Sequence, residues 1–517
     1  MDWATMNSQG DRLSSSKLRS IMFTASDNTT ILVLLITLGI LGWGYYRALP
    51  YGKLGLLSWL QSVALMSPGF LFFCLAATGI YLNLVSLLFL FVASTGLYIM
   101  IGRRLREVAN QDSVSELKPD LLGSPPPLPP ELNIIPPTPD PVLNLGSVPL
   151  SPEDLKIIQG IFGIDTFFAT ETIPYQDGVI FKGNLRSDPE IAYQQLSTNL
   201  KKSIGDRLRL FLVDNPEGKP VVIVLPQNNE PLSTSIPQKI LAIILFLMTL
   251  GTIFEAGGLL LGFDFSENLT RYPEIIPIAL GILAVLFIHE IAHQVIAKHY
   301  NIKFSWPFFI PTVQIGSFGA FNRFESVLPN RTVLFDVAFA GPVAAGGLSL
   351  FLLIMGLFLS HQGSAFQVPT EFFQGSVLVG MLSRLILGSQ LHQTSVDVHL
   401  LTLIGWFGLV ITALNLMPAG QLDGGRMMQA IYGRKIAGRS TIATFIVLAI
   451  ASFSNPLALY WALVILILQR NLERPSLNEL TEPNDTRAAW GLLVFLFMIL
   501  TLFPLTPALA TGLGIGS

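Results

Sequence analysis

The sequence predicts a mainly α fold, a polytopic membrane helical bundle with a small soluble α+β domain inserted after a Pro-rich linker. Three observations predict it. Of the 517 residues, 51% are hydrophobic and only 13% charged, about half the charged share of a soluble protein. Apolar runs recur, among them residues 273–297, long enough to cross a hydrocarbon core about 30 Å thick. Between two sets of such runs, residues 151–226 have the composition of an ordinary water-soluble domain. The net charge of −3 gives no general argument for nucleic acid as a partner. A single cysteine, Cys74, leaves no intrachain disulfide and no cysteine-based zinc site.

In chain order, residues 1–30 read as a polar N-terminal tail outside the membrane. Arg12, Lys17 and Arg19 are mixed there with Asp2, Asp11 and Asp27, acids that a transit peptide avoids, and no apolar core of a signal peptide is present. Residues 31–102 read as N-terminal transmembrane helices: an apolar run at 31–46, then 54–101, broken by Pro68 and Tyr81-Leu82-Asn83 into a helical hairpin. Residues 103–150 form the Pro-rich linker, with Pro-Pro-Pro-Leu-Pro-Pro and Pro-Pro-Thr-Pro suited to a semi-extended spacer.

Residues 151–235 read as the soluble domain. Ser151 caps a helix with Pro152 in its first turn, and residues 167–185 are strand-like around Gln176-Asp177-Gly178. An amphipathic helix at 188–204 and a hairpin about Asn215-Pro216-Glu217-Gly218 complete it. Residues 236–517 hold further apolar runs at about 240–257, 273–297, 333–359, 400–417, 441–454, 457–468 and 490–505, with 377–387 as another candidate. The chain as a whole predicts roughly eight to ten spans.

The run at 273–297 contains His289-Glu290-Ile291-Ala292-His293. Histidines four apart share a helical face, with Cβ atoms about 5–6 Å apart, so both can reach one metal ion. Glu290 is offset beside it, where a general base stands. From Pro273 the pair lies about 24 Å along a helix, inside the hydrocarbon, where ionisable groups are costly and mark function. A catalytic zinc takes three protein ligands and keeps a position for water. The candidate third ligand is Asp423, in Asn415-Leu416-Met417-Pro418-Ala419-Gly420-Gln421-Leu422-Asp423-Gly424-Gly425-Arg426, where Pro418 and Gly420 break an apolar helix. On spacing alone, a cap for the following helix explains Asp423 equally well.

Residues 304–321 (FSWPFFIPTVQIGSFGAF) are apolar but contain Pro307, Pro311, Gly316 and Gly319, which a straight helix tolerates poorly. They read as a re-entrant extended segment, allowed at membrane depth where it lines a cavity or packs on protein. Such a segment can bind a peptide as an added strand. Phe308, Phe309, Ile315, Gly316, Ser317, Phe318 and Gly319 are therefore the candidate substrate-binding residues.

H-E-x-x-H in an apolar helix, followed about 130 residues later by N-x-x-P-x-x-x-x-D-G, resembles the intramembrane metalloproteases of the site-2 protease family, peptidase family M50. Asn415, Pro418, Asp423 and Gly424 match the second motif, and Ala340-Gly341-Pro342 resembles the family's glycine-proline span. Gly183-Asn184-Leu185-Arg186 is similar to an element of the cyanobacterial and chloroplast branch named for ethylene-dependent gravitropism-deficient and yellow-green mutants. The likeness runs from about Ser151 to the C-terminus.

The resemblance implies a zinc metalloendopeptidase with one catalytic Zn2+ held by His289, His293 and Asp423, and with Glu290 as base. Its substrates would be transmembrane proteins, cut within or near their membrane helices. Ala344-Ala345-Gly346 stand where many members carry an asparagine, which leaves Asn415 as the candidate for stabilising the oxyanion. The implied setting is an integral multi-pass protein of a cyanobacterial plasma or thylakoid membrane, or of a chloroplast membrane. Lys239, Lys298 and Lys303 favour the cytoplasmic side for the metal and the soluble domain, with which the positive N-terminal tail agrees only if an even number of spans precedes Arg103. A metal transporter or a non-proteolytic binder of membrane substrates is the alternative reading. A transporter would need ligands along a path, and an intact Glu290 speaks against a binder.

Overall fold

The computed structural model describes residue 39, residues 41–77, residues 90, 94, 97, 98, 100–102, 104 and 105, and residues 151–515 except 176, 216, 228–230, 232 and 454. The chain divides into two compact units, Met1–Asp140 and Pro141–Ser517. In the first, helix α1 (Gly52–Ala77) runs through Pro68 without interruption, where the sequence predicts a break. The expected break at residues 81–83, the tail at 1–30 and all but two residues of the Pro-rich linker lie outside the described residues.

The second unit opens with the soluble domain. Helix α2 (Pro152–Gln159) starts where Ser151 accepts from the Asp154 amide, which pairs a donor that the helix itself cannot. Strands β1 (Phe167–Tyr175) and β2 (Gly178–Leu185) flank the predicted turn, helix α3 (Pro189–Ile204) follows, and β3 (Leu208–Asp214) and β4 (Pro220–Pro226) form the second hairpin. The sheet is antiparallel in the order β1-β2-β4-β3. Along α3, Ala192, Leu196, Leu200 and Ile204 recur every four residues and are all buried, the stripe an amphipathic helix lays on a sheet. Leu196, Leu200 and Ile204 join Ile158, Phe167, Phe181, Leu212 and Val222 in one core. Each such large side chain contributes about 1.5–3 kcal/mol by leaving water.

The outer edge of β3 is covered. Leu212 exchanges backbone bonds with Leu477 and Glu479 at 2.8 and 2.9 Å. On its far side the same segment donates from Leu477 and Asn478 to Leu328 and Pro329. Residues 477–479 therefore join the sheet, as a parallel addition, to the loop that enters the membrane bundle. Burying an edge in this way removes a row of unpaired amides and carbonyls.

The bundle comprises α4 (Ile236–Leu260), α5 (Tyr272–His299), α6 (Arg331–Leu359), α7 (Val377–Leu387), α8 (Leu400–Asn415), α9 (Asp423–Ala451), α10 (Pro456–Val464), α11 (Asp485–Leu502) and α12 (Pro507–Gly512). Between α5 and α6 lies the hairpin β5 (Phe308–Thr312) and β6 (Gly316–Phe321), so the proline- and glycine-bearing run is extended, as expected. A second hairpin, β7 (Phe366–Pro369) and β8 (Ser395–Val398), brackets α7. Among the described residues, four helical stretches are long and apolar enough to cross a membrane: Ile236–Leu260, Leu269–His299, Arg331–Leu359 and Asp485–Leu502.

Several runs counted as spans from the sequence are shorter. Helix α8 has 16 residues and measures about 24 Å, less than the hydrocarbon thickness of about 30 Å. It stops because Leu416–Leu422 leaves the helix to present Asp423. Helix α9 is broken at Gly433, whose φ of 78° is not helical. Helix α6 packs against both α5 and α8, and that three-helix contact is the frame of the site.

Candidate metal centre

Helix α5 places His289, Glu290 and His293 at its inner end, with 6%, 5% and 1% of their surfaces exposed. Asp423, 7% exposed, meets the two histidines across the bundle. Its Oδ2 lies 3.0 Å from His289 Nε2 and 3.4 Å from His293 Nε2, and the two Nε2 atoms are 3.1 Å apart. A metal with four tetrahedral ligands at about 2.0–2.1 Å needs ligand atoms about 3.3 Å from one another. The three separations fit a single ion of zinc's size. These are also the donor types that zinc accepts.

The neighbouring residues hold this triangle. His293 Nδ1 is 2.7 Å from the Val337 carbonyl on α6. A carbonyl can only accept, so that nitrogen carries the proton and Nε2 keeps its lone pair for a metal. One turn along α6, Gly341 faces the His293 ring so closely that a Cβ would collide with it. The glycine of Ala340-Gly341-Pro342 is thus a packing requirement of the histidine. Asp423 is the first residue of α9 and the cap position is Leu422, with no side-chain cap bond. The carboxylate is directed at the histidines and does not cap its own helix.

Glu290 accepts a 2.6 Å bond at Oε2 from Asn322 Nδ2, just beyond β6. The Asn322 carbonyl accepts from Arg426 Nη2 at 2.5 Å, and Arg426 Nε donates to Glu473 Oε2 at 3.0 Å. Arg426 Nη1 stands 3.9 Å from Asp423 Oδ1, and its guanidinium lies over the Phe324 ring. One buried cation therefore links Asp423, the end of the hairpin and a carboxylate from residues 470–484. Sequence reasoning missed Asn322, Arg426 and Glu473. The one signal present was Arg426 itself, a charge three residues beyond Asp423 in an otherwise apolar setting.

Asn415 donates from Nδ2 to the Phe318 carbonyl at 3.0 Å and to the Ile411 carbonyl at 2.9 Å, so both amide protons are in use. Gly319, at φ 98°, comes so close to Asn415 that any side chain would clash. The expected substrate-binding residues are split by the hairpin. Phe309 packs into the core with Ile253 and Ile282, and Phe318 lies 4.8 Å from the Trp461 ring of α10. Phe308 begins β5, Ile315 closes the turn, and Gly316, Ser317 and Gly319 lie on fully buried β6. A cavity with room for about one water molecule is lined by His289, Glu290, Gly319, Thr412 and Asn415, among others.

Of the other histidines, His399 caps α8 through Nδ1, and Asp397 accepts from the Gly363 amide. Among the described residues the group of His, Cys, Asp or Glu side chains able to hold a metal is His289, His293 and Asp423.

A metal centre of this composition, enclosed by helices fit to cross a bilayer, is the mark of a membrane metalloenzyme. The family model described as Peptidase family M50 matches residues 277–454, and one described as EGY3 middle domain matches residues 156–231. "Probable zinc metalloprotease EGY1, chloroplastic" of Arabidopsis thaliana is 35% identical over 410 residues, 72% of this chain and 75% of the relative. "Probable zinc metalloprotease EGY2, chloroplastic" of the same plant is 38% identical over 369 residues, 69% and 66% of the two chains. Its "Probable zinc metallopeptidase EGY3, chloroplastic" is 32% identical over 378 residues, 68% and 65%. The chain spans three quarters of the length of the first of these and about two thirds of the other two. No solved structure matches it at a significant level. The chain belongs to peptidase family M50, in the branch of the EGY zinc metalloproteases, and is a membrane zinc metalloprotease.

Proposed function

We propose that the protein is an intramembrane endopeptidase that hydrolyses peptide bonds within or near the transmembrane helices of other membrane proteins. One observation carries this reading: three ligand atoms converge, with Glu290 beside them, deep in a bundle whose helices are apolar enough to sit in lipid. In this reading His289, His293 and Asp423 hold zinc. Bound there, zinc supplies a Lewis acid that lowers the pKa of water toward about 7.

Glu290 takes a proton from the attacking water and passes it to the leaving amine as the C–N bond breaks. Asn322 keeps one oxygen of that carboxylate fixed. The peptide must arrive extended, because a helix hides its own carbonyls behind its hydrogen bonds. Strand β6 is the edge that receives it. The Phe318 carbonyl is bonded by an asparagine side chain, a partner that a peptide strand can replace. Asn415 is then released from one bond, which frees the amide proton that an oxyanion-stabilising role requires.

The burial of β6 and of Phe318 against Trp461 supports a site that opens by displacing α10. A transporter would need further ligand groups along a path, and among the described residues none accompanies this one. The names of the relatives place those proteins in chloroplasts, which favours a chloroplast membrane over the cyanobacterial and plasma-membrane settings.

The test is to reconstitute the purified protein in liposomes with a single-span substrate and to map the new termini by mass spectrometry. Cuts within or at the edge of the apolar segment are expected. Cuts confined to water-exposed segments far from it would refute the intramembrane assignment.

A further inference from the structure

Asn322 has half of its side chain unused. Its Nδ2 donates to Glu290, and the carboxylate can only accept, which fixes the amide's orientation. That leaves Oδ1, an acceptor with no hydrogen-bond partner among the described residues, on a residue only 4% exposed. A buried acceptor without a donor is unfavourable, and in folded proteins such atoms are few. The residue cannot easily turn away to relieve it. Its carbonyl is held by Arg426, which Glu473 fixes in turn, and Ser305 exchanges bonds with Arg323 next to it.

The place of this acceptor in the chain indicates its donor. Asn322 directly follows β6, the strand offered to the peptide, and its other polar atom touches the proposed base. A peptide strand brings one backbone N–H per residue, the most regular donor a site of this kind receives. On the proteolytic reading given above, we infer that Asn322 is a substrate-binding residue whose Oδ1 accepts a backbone N–H of the bound peptide close to the scissile bond. The same side chain then registers the peptide and holds Glu290, so that base and target are set by one group. A corollary concerns sequence preference. Proline carries no N–H and should be excluded at one substrate position, whatever side chains are accepted there otherwise.

The experiment scans a single-span substrate in proteoliposomes, replacing each amide near the cleavage site by an ester that keeps the shape and removes the N–H. Wild type should lose about tenfold in kcat/KM at one position, the scale of one hydrogen bond. Asn322→Leu should be slower overall yet show no further loss at that position, while still responding to the other esters as wild type does. Asn322→Asp, which keeps an acceptor and gives up the donor, should retain the positional loss, and Asn322→Ala, which also removes the acceptor, takes the place of the leucine variant if that one does not fold.

Zinc content, measured on each variant, should stay at the wild-type level. Parallel profiles for wild type and both variants, with no position where the losses fail to add, would overturn the inference. That result combined with an inert Glu290→Gln leaves the proteolytic reading intact, whereas cleavage by Glu290→Gln would remove the reading on which the inference rests.

Discussion

Asp423 reaches the histidines because α8 ends early and seven residues of irregular backbone bring the chain back to them. On the proposed reading the carboxylate supplies the third ligand atom, so its removal should leave two imidazoles and a weak site. Asp423→Ala should lower zinc content by at least about tenfold, given that even an outer partner of a metal ligand is worth 10–100-fold. Elemental analysis of the purified protein checks this, and unchanged zinc would exclude Asp423 as a ligand. Arg426 stands behind it, buried and paired with Glu473 at 3.0 Å. Arg426→Met leaves a buried carboxylate without its cation and should cost about 3–5 kcal/mol. The double variant with Glu473→Leu should recover much of that loss in thermal unfolding, because Glu473 is then no longer a buried charge without its cation.

At this scale the histidine pair was legible in the sequence and the neighbours of the site were not. A histidine pair at i, i+4 is a property of one helix, readable from spacing. Asn322, Arg426 and Glu473 meet only after the hairpin, α9 and the segment that follows α10 have folded, and no local pattern encodes that meeting. For Asp423, spacing left ligand and cap equally open, and the structure shows the side chain turned to the histidines.

Among the elements, the segment at 470–484 has the most consequence for its length. It has no helical or strand period in its sequence, yet its residues 477–479 extend the soluble sheet while Glu473 reaches Arg426. Leu477→Pro removes the amide that bonds to Leu328 and places proline inside a paired strand. Hydrogen exchange at Leu212 and Glu479 should then accelerate by about tenfold, the scale of one lost bond, with β1 and β2 unaffected.

Glu479 adds a pH dependence. Burial pushes its carboxyl pKa above the ordinary 4.5, more strongly than Arg434 and Arg331 pull it down. With a raised folded value, its contribution to stability is full below about the unfolded pKa and is lost as pH rises through the folded one. Thermal unfolding of wild type should therefore fall behind Glu479→Gln as pH rises above 4.5 and approach it at lower pH; a constant gap would contradict this. The extended backbone of residues 304–321 was foreseen because prolines and glycines exclude a straight helix there, though its pairing into the β5–β6 hairpin was not. The β7–β8 hairpin was not, since four-residue strands leave too short an alternation to detect.

For the whole molecule, the sequence-based total of eight to ten spans compares with four full-length apolar helices among the described residues. Hydropathy measures solvent preference and does not distinguish a helix that crosses lipid from a shorter one buried in the bundle. Helix α8 is of the second kind, whereas α10 is short but buries only Trp461, and both border the metal centre or its strand. The soluble domain has a core of its own and meets the bundle through residues 477–479, so removing residues 151–226 should alter substrate choice more than zinc binding. Loss of zinc on that deletion would show that the two parts depend on each other.

The most direct measurement takes Glu290→Gln into proteoliposomes with a single-span substrate and follows zinc content and cleavage together. The amide keeps the size of the carboxylate but cannot take a proton from water, and Glu290 is not one of the three ligands. Zinc at the wild-type level with no cleavage is the predicted result. Cleavage at the wild-type rate would contradict the assignment of Glu290 as the base, and with it the account of this centre as the site of hydrolysis.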